Sequence, residues 1–310
     1  MTWDPDDALH TPYRAGEPPL AAYEVPLTIP GAVDVLSPLV RRILAPNPSV
    51  MTGQGTNTYL VGPVDGAGDV VVVDPGPDNP VHVDAIVRAG ADRISLILIT
   101  HGHHDHWPGA ALVAERTGAK VLAFEHSGEF RVDATIDDGA LIETDDFTLE
   151  TIHTPGHAHD HLCFLLHEER LLFTGDHVMH GSTVVIIPPH GGVGDYLDSL
   201  GRLLAWSPPI RALAPAHGLV FTDPVPAIQT IIDHRLAREA KVAAALGEFD
   251  GPASVDDLIP ATYGDVEERR LPIARYSLWA HLRKLAEDGR ATATDPDDLD
   301  ASRWTIRPTA

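Results

Sequence analysis

At 310 residues the chain has room for one large domain, or for one domain with a small appendage. It is 44% hydrophobic and 22% charged, ordinary proportions for a protein with a sizeable core. A net charge of −23 (22 basic against 45 acidic residues) disfavours non-specific capture of nucleic acid or anionic membranes. The single cysteine, Cys163, excludes an intrachain disulfide and a thiolate metal cluster.

In chain order, residues 1–32 carry six prolines without periodicity and are expected to form an N-terminal arm. The opening MTWDPDDALH is acidic and has no apolar centre, and no segment reaches the roughly 18 apolar residues of a membrane span. A cytoplasmic protein with no membrane partner is the expectation. Strand-like runs follow around Asp34–Leu44, at Asn57–Val61 and at Val70–Val73, the last stopped by Asp74-Pro75-Gly76. Pro80–Ala89 reads as a helix, with Val83, Ile86 and Val87 on one side. Ile94–Ile99 is of strand length and apolar except for Ser95, so it is expected to be buried on both faces. Pro108–Thr117 reads as a helix ending before Gly118. Further strands are expected at Lys120–Phe124, Phe147–His153, Leu162–Leu166, Leu171–Thr174 and Thr183–Ile187, and helices at 195–206 and 225–246. Strands and helices mixed without strict alternation fit two sheets sandwiched by helices. The composition changes near residue 249. Helical patterns at 254–259 and 272–288 then give a small helical or winged-helix module. The expected division is an arm at 1–32, a catalytic domain at 33–248 and the module at 249–310.

Histidine is the anomaly. Eighteen are present, and nine fall between His101 and His161. His101, His103, Asp105 and His106 crowd into six residues directly after the Ile94–Ile99 run, and strand ends are where such folds place ligands. An extended turn lets His101 and His103 face one side, while Asp105 and His106 point at a second centre. Imidazole with carboxylate suits zinc.

His-x-His-x-Asp-His resembles the signature of the metallo-β-lactamase superfamily, and its other parts occur in order: Asp74 after an early strand, Thr154-Pro155-Gly156-His157, Thr174-Gly175-Asp176 and Pro215-Ala216-His217-Gly218. The similarity spans roughly residues 35–235. It implies an αβ/βα four-layer sandwich with two Zn²⁺ per chain. One metal would be held by His101, His103 and His157, the other by Asp105, His106 and His217, with Asp176 bridging and Asp74 bracing the metal loop. The bridging Asp176 sets the chain apart from true β-lactamases and suits metals ~3.5–4 Å apart. His103, where the di-iron oxygen-reducing branch has glutamate, speaks against that branch.

The segment Gly53-Gln54-Gly55-Thr56-Asn57-Thr58-Tyr59-Leu60-Val61-Gly62, together with TPGHAHDH at 154–161, Gly181-Ser182-Thr183 and the helix carrying His234, Arg235, Arg238 and Glu239, is similar to the lactamase-β-like group. That group contains a single-strand endoribonuclease and thioesterases that release acyl chains from carrier proteins, and it ends in a winged-helix-like module. The resemblance implies a dinuclear zinc hydrolase using a metal-bridging hydroxide, with Asp105 and Asp176 catalytic. Asn57, His161, Ser182 and Thr183 are expected to brace the site or meet substrate, and His104 is expected to turn away. A phosphodiesterase acting on single-stranded RNA ranks first. The alternative is a thioesterase acting on acyl-carrier-protein or acyl-coenzyme A thioesters, with glyoxalase II-like chemistry. β-Lactamase activity and a non-catalytic metal-binding role rank lower, and a homodimer stays open. The case for RNA rests on that resemblance, together with residues 269–290, where six basic side chains stand against Glu287 and Asp288, net +4, beside Tyr276 and Trp279. The competing reading buries those aromatics on one helix face.

Overall fold

Four consecutive valines, Val70–Val73, dictate a strand with both faces covered, and every one of them is buried. In the computed structural model, which describes residues 29–126, 130–181, 183–264 and 266–307, this strand lies inside a seven-stranded sheet. Most of the expected N-terminal arm, and Ser182, fall outside those residues.

The first sheet is built in spatial order from β1 (Val33–Val35), β2 (Val40–Leu44), β3 (Asn57–Val61), β4 (Val70–Val73), β5 (Ile94–Leu98), β6 (Lys120–Ala123) and β7 (Ala134–Thr135). It is antiparallel from β1 to β4 and parallel from β4 to β7. Two helices provide the parallel crossovers. Helix α1 (Pro80–Gly90) is capped by the Asn79 side chain, which accepts from the Val81 and His82 N–H groups. Helix α2 (Gly109–Thr117) begins after Pro108 and ends at Gly118. The second sheet runs β12 (Ala212–Pro215), β11 (Leu171–Gly175), β10 (Leu162–Leu166), β9 (Thr148–His153) and β8 (Leu141–Glu143). Only its β11–β12 pair is parallel.

Alternate side chains of each sheet enter different cores, as the period of two requires. Val71 and Val73 meet Leu149, Phe164 and Phe173 between the sheets. Val70 and Val72 pack outward on Val83, Ile86 and Val113 of α1 and α2. On the far side Leu165, Leu172 and Leu213 pack on α3 (Val193–Leu204) and α4 (Pro224–Gly247), through Tyr196, Leu200 and Ile231. The layers are therefore helix, sheet, sheet and helix, the expected sandwich.

Thr183–Ile187 is a correction. It forms no strand, and its carbonyls serve side chains instead: Val184 accepts from Arg235 and Val185 from His157. Beyond α4, helices α5 (Val255–Tyr263) and α6 (Leu271–Glu287) and a two-stranded sheet of β13 (Ala291–Ala293) and β14 (Trp304–Ile306) enclose a separate core. Leu278, Leu282, Leu285 and Trp304 are among its fully buried members. No helix among the described residues is long and apolar enough to cross a membrane.

Candidate metal centre and its pocket

The loops that follow β4, β5, β9, β11 and β12 converge on one edge of the sandwich and carry the predicted donors. Two groups form: His101, His103, His157 and Asp176, and Asp105, His106 and His217. Within each group one possible donor atom per residue lies within 4.8 Å of the others. All seven donors named from the sequence are thus brought together, in the expected partition.

The hydrogen bonds on the outward nitrogens fix what faces inward. His157 Nδ1 donates to the Val185 carbonyl at 2.7 Å, and His217 Nδ1 to that of Gly55 at 3.2 Å. His106 Nδ1 donates to Asp74 Oδ2 at 2.8 Å. Thr100 Oγ1 donates its only hydrogen to Asp74 Oδ2 at 2.7 Å, so His101 Nδ1, 3.0 Å from that hydroxyl, is the donor to it. Each of these four rings therefore turns a lone pair inward while neutral. His101 Nε2 and His157 Nε2 both lie 2.9 Å from His103 Nδ1, and a single N–H on that nitrogen cannot serve both. His217 Nε2 stands 3.1 Å from Asp105 Oδ2 and 3.2 Å from Asp176 Oδ1. His106 Nε2 and Asp176 Oδ1 are buried without a hydrogen-bond partner. Lone pairs facing lone pairs and carboxylates in a buried place are the arrangement of a metal-ligand set, with outer hydrogen bonds fixing each ring. The residues fit divalent metal, and nitrogen with oxygen and no sulfur suits zinc.

Asp176 spans the two groups: its Oδ2 is 3.6 Å from His157 Nε2 and its Oδ1 3.6 Å from His106 Nε2. It can do so because Gly175 precedes it. At φ +49° a Cβ there would sit 2.7 Å from His161 Nε2 and 2.8 Å from Thr100 Cβ, so no side chain fits. Burial pushes Asp176 up, but His217 and His106 outweigh it and hold the carboxyl well below its ordinary range. Burial likewise raises Asp105, and His106 with the His217 hydrogen bond brings it down to about 2. Burial lowers His106 and His217, yet Asp74, Asp105 and Asp176 lift His106 well above its ordinary value, and Asp176 chiefly lifts His217. The same field attracts a dication.

A family model described as the metallo-beta-lactamase superfamily matches residues 51–217. The chain belongs to that superfamily. A second model, a beta-lactamase associated winged helix domain, matches residues 254–304, the region of α5, α6, β13 and β14. Among curated relatives, an atrochrysone carboxyl ACP thioesterase of Aspergillus chevalieri is 36% identical over 247 residues, covering 76% of this chain and 77% of the relative. The lactamase-like protein aptB of Emericella nidulans is 34% identical over 300 residues, covering 90% and 91%. Of solved structures, a beta-lactamase domain protein from Burkholderia ambifaria superposes with a TM-score of 0.75 at 20% identity, covering 90% and 95%, a likeness of fold.

Around this superfamily centre, bracing residues account for most of the remaining predictions. Asp74 holds the Thr100 N–H at 2.8 Å as well as the Thr100 hydroxyl and His106. Asn57 Nδ2 donates to the Pro215 and Gly218 carbonyls at 3.0 and 2.8 Å, fastening the loop that carries His217. The Gly53–Gly62 motif is thereby more than a turn into a strand. At Gly55, with φ +137°, a Cβ would clash with the Ala45 carbonyl oxygen, so only glycine fits, and its carbonyl accepts from His217. His161 is fully buried. Its Nε2 accepts the Asp176 N–H at 3.2 Å and its Nδ1 meets Thr154 Oγ1 at 2.9 Å, so it braces the loop and does not line the pocket. Asp160 was missed: it accepts the Gly102 N–H at 2.9 Å, and its place beside His161 in TPGHAHDH was the available signal.

A cavity of about 610 Å³ opens over the donors. Its walls include Val50, Met51, Met179, Ile187 and Ile273, with Thr183 and Arg270 among the few polar groups besides the donors. His104 belongs to neither donor group, but it does not turn from the site as expected. It lines the cavity, its ring standing 5.4 Å from that of Trp107. His190 lines it too, whereas His177 is fully buried.

On the basic stretch 269–290 the structure favours the reading that buries the helix's apolar face, Tyr276 excepted, over a path for RNA. Arg269 holds Glu267 at 2.7 Å, Arg275 holds Asp256 and Asp300 at 2.7 and 2.8 Å, and Lys284 holds Glu239 and Asp288 at 3.1 and 2.7 Å. Arg283 pairs with Asp297 and Arg290 with Glu239. Trp279 is buried and donates its indole N–H to the Pro296 carbonyl at 3.0 Å. The local +4 is compensated largely by acids distant in sequence, Asp256, Asp297, Asp300 and Glu239, and Trp279 offers no face for a base.

Proposed function

We propose that the chain is a metal-dependent thioesterase that releases an acyl group from an acyl-carrier protein or coenzyme A. Two divalent ions, zinc by donor chemistry, are assigned to His101, His103 and His157 and to Asp105, His106 and His217, with Asp176 between them. The observation that carries this reading is the cavity over the donors. It is walled by apolar side chains and, among the described lining residues, offers one permanent cation, a surface for an acyl chain rather than for a polyanion. The similarity to a relative named as an ACP thioesterase supports it. An RNA phosphodiesterase loses the support of the 269–290 charges, and the resemblance that ranked it first serves the thioesterase equally. A catalytic unit at 33–248, a module from 249 and a cytoplasmic location belong to the same proposal.

When bound, the ions supply a nucleophilic water near neutral pH and stabilise the negative charge that develops on the carbonyl oxygen. The chain's own part is positioning. Asp105, with a side chain 28% exposed and facing the cavity, stays ionised and accepts a hydrogen bond from the attacking water, orienting it. Asp74, Asp160 and His161 keep the donor loops in register before substrate arrives, so no reorganisation is needed during reaction. A thiolate leaving group, with a solution pKa near ~8.5, departs with little proton assistance. Chelation should abolish hydrolysis of an acyl-carrier-protein thioester and zinc should restore it, with about two metals per chain found by elemental analysis of untreated protein. Full turnover in chelator, at well below one metal per chain, contradicts the proposal.

A further inference from the structure

We propose that Arg270 forms an anion subsite at the cavity, recognising a phosphate or carboxylate that the thioester substrate carries away from its reacting carbonyl. This rests on the thioesterase reading above. Among the described lining residues Arg270 is the only arginine or lysine. It comes from the C-terminal module, at the entry to α6, and shares the cavity wall with Ile273 of the same helix.

Its pairing separates it from its neighbours. The five other cations of 269–290 each hold an acid at close range. Among the described residues Arg270 reaches only Glu267, at 3.7 Å, and the same Glu267 oxygen is engaged by Arg269 at 2.7 Å. The Arg270 side chain is 62% exposed, so its donors are available. Among the described lining residues the only carboxylates, Asp105 and Asp176, belong to the donor groups, and the walls include Val50, Met51 and Ile187. A guanidinium beside apolar walls is screened less than one in open water, and its fork matches phosphate and carboxylate alike. In a chain of net charge −23, a cation here offsets the repulsion an anionic substrate would meet.

Two sources of such an anion exist on a carried thioester: the phosphate of a phosphopantetheine arm, or a carboxylate on the acyl group. The test compares wild type, R270Q and R270K on three thioesters of pantetheine: a neutral acyl thioester, its 4′-phosphorylated counterpart, and a neutral-arm thioester of a dicarboxylic acid. R270Q should raise KM for one anionic thioester about tenfold relative to the neutral one, with kcat held, and R270K should recover part. The thioester that responds identifies the source. Equal losses on all three, or no change on any, overturn the subsite. Calorimetry with phosphopantetheine and with the dicarboxylic acid separates this from the thioesterase reading. Wild type hydrolysing none of the thioesters sinks that reading. Tighter binding of one anion by wild type than by R270Q still upholds Arg270, and equal affinities for both anions overturn it.

Discussion

The donor loops and helix α6 are the two places where charge and imidazole are densest, and they treat it oppositely. At the sheet edge, His106 Nε2 and Asp176 Oδ1 are buried without hydrogen-bond partners, and nitrogen lone pairs face one another. On α6, Arg275, Arg283 and Lys284 each hold an acid from another segment. Unpartnered buried polar atoms cost free energy, and where those of several residues converge among lone pairs and carboxylates, a divalent metal is the ligand that would satisfy them together. Paired surface cations need no ligand, each pair contributing only about 0–1 kcal/mol to stability. Density of charge alone therefore separates neither a catalytic edge from a structural helix nor an RNA path from an ion-paired surface. Where the partners sit does.

The largest effect belongs to the residue that spans both donor groups. Asp176→Ala should empty both sites and reduce turnover by at least about a thousandfold, while circular dichroism reports a folded sandwich. Two metals per chain retained by elemental analysis would show that the two groups do not share Asp176. A smaller loss should follow from removing a brace rather than a donor. Asp160→Asn weakens the hold on the Gly102 N–H, and metal affinity should fall about 10–100-fold in a competitive chelator titration. Affinity equal to wild type would mean the loop holds its shape without that carboxylate.

The smallest effect is in the module. His281 on α6 is fully buried with both ring nitrogens unpartnered, and burial, then Arg235 and Arg238, lower it to about 3. In the unfolded chain it titrates near its ordinary value of about 6.5, so below that pH the unfolded state binds the extra proton and stability falls with falling pH. At pH 5 the loss is about 2 kcal/mol from this group alone. Denaturant melts of wild type and His281→Phe at pH 7.5 and 5 should show that much less pH dependence in the variant. Identical dependence would place the acid sensitivity elsewhere.

The fold and the donors were legible because each is written locally. Val70–Val73 declares a doubly buried strand, and His101 to His106 follow a strand end within one turn. His161 was left open because its role turns on the backbone N–H of Asp176, fifteen residues away, which no spacing reveals. Thr183–Ile187 looked like a strand because its side chains are apolar, but the missing ladder is a tertiary fact. The positive stretch at 269–290 misled for a related reason. Asp256, Asp297, Asp300 and Glu239 lie 14 to 51 residues from the cations they hold, so a window along the chain counts only one side of each pair. The cavity walls escaped notice because Val50 and Met51 are exposed apolar residues in an aperiodic loop.

Whether the cavity serves an acyl thioester can be tested directly. Zinc-loaded protein should be given an acyl-carrier-protein thioester and an unstructured single-stranded RNA side by side, over a series of salt concentrations. Thioester turnover and no RNA cleavage at any salt are expected. RNA cleavage that weakens steeply as salt rises and is lost in Arg283→Glu/Lys284→Glu, with the thioester untouched, would contradict the thioesterase reading.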